Sequence, residues 1–147
     1  MSGLAALLAG HTAPDVYLWH NAAHVEDVAH AVEKAGWRFA YLDGWTTEDE
    51  ATFLKAATAA FELPDTGDSG FEGLKNGLHQ VEAGEHNGIV LLWDGWSPLA
   101  RADEGAFRSA LEAFGSRAKT DGPGKCAVLL RGEGPEIDIA DLPDGPH

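Results

Sequence analysis

Residues 63–78 read LPDTGDSGFEGLKNGL, placing Asp65 and Asp68 ahead of Glu72, with Lys75, Asn76 and His79 following at helical spacing. Carboxylates gathered this way accept charge-assisted hydrogen bonds from arginine or lysine, so the stretch is a candidate surface for docking a cationic partner. A structural reading stands beside it. Asp68 or Ser69 would cap a helix, Glu72 would complement its dipole, and the glycines would let helix and sheet approach closely. These residues alone leave both readings open.

Other chemistry finds less support. His20, His24 and His30 in WHNAAHVEDVAH straddle a strand end and a helix start, and their spacing matches no single-face metal site. The one cysteine, Cys126, excludes an internal disulfide and any cysteine-based zinc set, as suits a reducing compartment. GDSGF at 67–71 holds a serine in the wrong frame for a nucleophile elbow. GPG at 122–124 precedes an apolar run, whereas a phosphate loop follows one. No catalytic residue, metal or cofactor is expected. A small α/β enzyme stays open as an alternative that a deep pocket with convergent polar groups would favour.

Charge narrows the choice of partners. Twenty-four acids oppose ten bases, and residues 41–100 alone carry −9 of the net −14. Nucleic acid and anionic membranes are poor partners for such a surface. A basic protein would be attracted and steered to it, although acidity also serves solubility alone. No apolar run approaches the ~20 residues that span a bilayer. MSGLAALLAG lacks the basic start of a signal peptide, so the expected location is cytoplasmic.

The elements that must position these residues follow from apolar periodicity. DVYLW (15–19), WRFAYL (37–42), GIVLLW (88–93) and CAVLLR (126–131) predict strands, the last two covered on both faces. Val25, Val28, Val32 and Ala35 make a helical stripe between the first two, giving a parallel βαβ crossover. Thr47 and Glu50 suggest a capping box for a helix burying Phe53, Leu54, Ala57 and Phe61. On the helix predicted over 71–82, Phe71, Leu74, Leu78 and Val81 fall within about 80° of one another, leaving Glu72, Asn76 and His79 opposite. DGWSPLARAD reads as a loop before a helix carrying Phe107, Ala110, Leu111 and Phe114. Trp19, Trp37 and Trp93 belong to the core, while Trp45 and Trp96, each following Asp-Gly beyond a strand, are expected to pack rather than stand free. The fold class is α/β, a small mainly parallel sheet flanked by helices. Residues 1–131 form one domain, with a βα extension over 1–37 and an acidic, mobile tail over 132–147.

From about Arg38 to Arg131 the sequence resembles the barstar family of cytoplasmic ribonuclease inhibitors. The resemblance rests on YLDG ending a strand, FELP closing a helix, an acidic loop and short helix, then IVLLW, FRSALEAF and CAVLLR. It implies a non-catalytic inhibitor or immunity protein that plugs the basic active site of a secreted microbial ribonuclease. The implied contact surface comprises Asp65, Thr66, Asp68, Ser69, Glu72, Lys75, Asn76 and His79. Glu72 matches the family's first helix carboxylate. Asn76 replaces its second, Lys75 replaces an aromatic, and Gly70, Thr66 and Gly67 replace loop residues. Gly115, Ser116 and Arg117 occupy the region of a further acid. These departures imply a different cognate toxin, or a barstar-fold protein that binds another toxin or a regulator.

Overall fold

The structure, a computed structural model, describes residues 3–9, 15–19, 24–61, 70–80, 88–118, 125–132, 137 and 139. The chain runs α1 (Gly3–Leu8), β1 (Val16–Leu18), α2 (Val25–Lys34), β2 (Arg38–Asp43), α3 (Glu50–Ala60), α4 (Gly70–Gln80), β3 (Gly88–Asp94), α5 (Ser97–Ala102), α6 (Glu104–Ala118) and β4 (Lys125–Arg131).

The uninterrupted apolar runs become β3 and β4 at the centre of a four-stranded sheet ordered β1-β4-β3-β2. Every described pairing is parallel, and a parallel sheet needs both its faces covered. β1, buried only at Val16, and β2, whose burial alternates from Ala40 to Asp43, take the edges. The predicted βαβ unit therefore exists, but its two strands lie at opposite edges. α2 carries the chain across the whole sheet.

Each face of the sheet has its own core. Ala40, Leu42, Ile89, Leu91, Trp93, Val128 and Leu130 point into one, where Phe53, Leu74, Leu78, Phe107 and Phe114 cover them from the helices after β2. Phe53 sits at its middle, 4.9 Å from Trp93, 5.9 Å from Phe71 and 6.1 Å from Phe114 between ring centroids. The opposite face, Val90, Leu92, Ala127 and Leu129, is covered by Leu4 and Leu7 of α1 and Val28 and Val32 of α2. Trp37 ties this layer down by donating its Nε1–H to Leu8 O at 3.1 Å. The layers are thus helix, sheet, helix.

Two local readings are corrected. Asp49, not Thr47, caps α3: its carboxylate accepts the Thr52 N–H at 2.8 Å, and the Thr52 hydroxyl completes the box. Thr47 is buried two residues earlier, its hydroxyl donating to Gly44 O at 2.9 Å, so the preceding turn has already used its side chain. The loop expected over 94–103 contains α5, with Pro98 in its first turn and Leu99 fully buried. Asp103 then accepts the Ala106 N–H at 3.0 Å and starts α6. In the tail, Ile137 and Ile139 are half-buried against the first core.

Candidate partner-binding site

α4 begins at Gly70, whose φ of +57° lies in the left-handed region that glycine enters without a Cβ penalty. Leu74 and Leu78 are fully buried, and Phe71 packs beside them, so the expected stripe forms and seats the helix against the sheet, α3 and α6. This orientation fixes what faces outward. Glu72 and Asn76 are exposed and Lys75 is half-buried.

Phe71, Glu72, Lys75 and Asn76 line one wall of a groove of about 390 Å³, and Ser109, Glu112 and Ala113 of α6 line the other. Three residues of the expected surface are therefore brought together: Glu72, Lys75 and Asn76. His79 lies in the last turn of α4. Asp65, Thr66, Asp68 and Ser69 lie outside the described residues, as does Val81 of the expected stripe.

Glu112 and Ser109 were not read from the sequence as site residues. The sequence signal was weak: on a helical wheel positions 109 and 112 lie well away from the Phe107, Ala110 and Phe114 stripe, on the side toward which buried Ala113 extends it. What the stripe does not say is which helix it will lie against. Arg117, which occupies the region expected to hold a further acid, instead turns inward and is buried. Glu112 supplies a carboxylate to this wall about one turn earlier.

Among the described residues no cluster of three histidine, cysteine or acidic side chains could hold a metal, and His24 and His30 stand exposed on separate positions of the α2 region. Cys126 is buried in β4, and burial pushes its thiol pKa up to about 11. Of the two tryptophans after Asp-Gly, Trp96 is buried and stacks on Phe107 with centroids 5.4 Å apart. Trp45 departs from the expectation of packing and is 51% exposed.

The architecture is that of a three-layer α/β domain with an all-parallel sheet and a groove between two helices on one outer layer. Residues 37–131 match the family described as Barstar (barnase inhibitor), and the chain belongs to that family. No curated protein sequence matches it. Among solved structures, the ADP form of the Aeropyrum pernix ORC2 protein is similar over 95% of this chain and 39% of that one, with a TM-score of 0.57 and 17% identity. This chain thus spans well under half of that protein, and at such identity the likeness concerns the fold alone.

Proposed function

We propose that this barstar-family protein is a cytoplasmic inhibitor of a basic secreted ribonuclease, with the α4–α6 groove and the acidic sequence 65–69 as its contact surface. The observation that carries the reading is the placing of Glu72 and Glu112, from different helices, on facing walls of one groove. A ribonuclease cleft is basic because it binds phosphates, and carboxylates held on rigid helices can take the place of those phosphates. The net charge of −14 steers such a partner toward the surface.

The groove also carries Lys75, and Asn76 cannot neutralise a buried cation. A cognate nuclease would therefore offer an acid opposite Lys75, which a barnase-like cleft built for phosphates does not favour. Titration calorimetry against barnase is expected to show weak binding or none. Nanomolar affinity would overturn that expectation. Against a secreted basic ribonuclease that the protein binds, Asp68→Lys with Glu72→Lys should abolish binding while leaving the fold intact. Binding that survives the double change would remove this surface from the interface.

The same two departures favour a second reading, a barstar-fold protein that binds a different toxin or a regulator. A neighbouring gene for a non-nuclease toxin, bound by the protein through Glu72, would support it.

A further inference from the structure

A second feature stands on the carboxyl edge of the sheet and shares no residue with the groove. β2, β3 and β4 end in register at Asp43, Asp94 and Arg131, each followed by glycine. Gly44 N–H donates to Asp94 O at 2.7 Å and Gly95 N–H to Arg131 O at 2.8 Å, so the three ends are bound side by side. The indole of Trp45 lies across two of these glycines. A Cβ on Gly95 would come within 2.7 Å of Trp45 Cγ, and one on Gly132 within 3.3 Å of Cη2.

Backbone thus forms the floor beneath the ring, while the other four tryptophans are buried and Trp45 remains half in water. A single exposed apolar residue is ordinary. What sets this one apart is its glycine seat and its charged surroundings. Asp43 is exposed, and its Oδ1 accepts the backbone N–H of Trp45 at 3.1 Å. Glu48, Asp49 and Glu50 follow, also exposed, and no base occurs between positions 43 and 54. Arg131 at the same edge is engaged by Asp94 at 3.0 Å.

We propose that the outer face of Trp45 is a recognition platform for an arginine side chain of a partner protein, with the Asp43 carboxylate beside the guanidinium. An indole face attracts cations through its quadrupole. Guanidinium is planar and weakly hydrated, so it stacks there better than a compact ammonium does. In open parallel sheets the carboxyl edge is also the common place for ligands.

Short oligoarginine and oligolysine peptides of equal length, titrated calorimetrically into the full chain, test this. Net charge attracts both alike, whereas stacking separates them. The wild-type chain is expected to prefer oligoarginine by about two- to fivefold. Trp45→Ala and the bulk-preserving Trp45→Leu should each bring the ratio to about one, with thermal melting checked for both; Trp45→Phe should keep part of it, and Glu33→Gln, on the exposed face of α2, should leave it unchanged. A wild-type ratio of one, a preference that persists in Trp45→Leu, or one lost equally in Glu33→Gln would overturn the proposal. So would a wild-type dimer in sedimentation that Trp45→Leu converts to monomer, because a second copy would then occupy the ring.

Discussion

Arg131 grips Asp94 with two bonds, Nη2 to Oδ2 at 3.0 Å and Nε to Oδ1 at 3.2 Å, joining the last residues of β4 and β3. Both side chains are about 85% buried, and the Arg131 guanidinium also lies 5.9 Å from the Trp19 ring centroid. The pair closes the carboxyl edge of the sheet, one residue before the glycines that seat Trp45. Asp94→Asn keeps the shape and removes the charge. It is expected to cost about 1–3 kcal/mol in urea unfolding, between the values for exposed and fully buried pairs.

Tyr41 donates its phenol toward the same Asp94 Oδ2 at 3.4 Å. Burial, with the Asp94 and Asp43 carboxylates adding to it, raises the phenol pKa above its ordinary 10.0. The folded state therefore holds this proton more tightly than the unfolded chain. Its contribution is whole below about pH 10 and is lost as pH rises through the folded value. Tyr41→Phe should flatten the alkaline fall of stability, measured by unfolding at stepwise pH. An unchanged slope would assign that fall to other groups.

Cys126 follows the same sign with a larger shift, from 9.0 to about 11. Because the thiolate is the reactive form and the side chain is buried, Ellman's reagent should react at pH 8 only as the protein unfolds. The rate of labelling should follow denaturant concentration through the unfolding transition.

Asp49 provides the opposite sign. The Thr52 N–H and hydroxyl bonds hold its carboxyl below the ordinary 3.8. Its support for α3 is present above about pH 4 and is lost as pH falls through the folded value. Asp49→Ala should lower the melting temperature at pH 7 and leave the difference from wild type small at pH 2.

Gly95 has a φ of +83°, and its missing Cβ is where Trp45 rests. Gly95→Ala should cost about 1–3 kcal/mol from backbone strain, with ring displacement added. Combining it with Trp45→Ala should recover the ring part and leave the strain, a coupling that a double-mutant cycle reads directly.

The strands and the stripes of α2, α3, α4 and α6 were legible because burial on one or two faces imposes a period that residue types reveal. α5 was hidden by Gly95 just ahead of it and Pro98 in its first turn. Its six residues are held by the burial of Leu99, a tertiary contact rather than a periodic signal. The cap moved from Thr47 to Asp49 because two polar residues competed, and the Gly44 turn took one of them. At the candidate site, Glu72, Lys75 and Asn76 were legible from the helix wheel. Glu112 was not, since its part depends on α6 lying alongside α4.

Sequence by itself determined that this is an α/β chain with two strands buried on both faces, an acidic middle and a helix that turns Glu72 outward. Those properties are local, written in the identity and spacing of neighbours. Tertiary structure alone decided the order β1-β4-β3-β2, the use of the first helices as a second covering layer, and the exposure of Trp45 against the burial of Trp96. Both tryptophans follow the same Asp-Gly pair, so no local rule separates them. One continues into α5 and stacks on Phe107, whereas the other stands past an edge strand and rests over the glycines that follow two neighbouring strands.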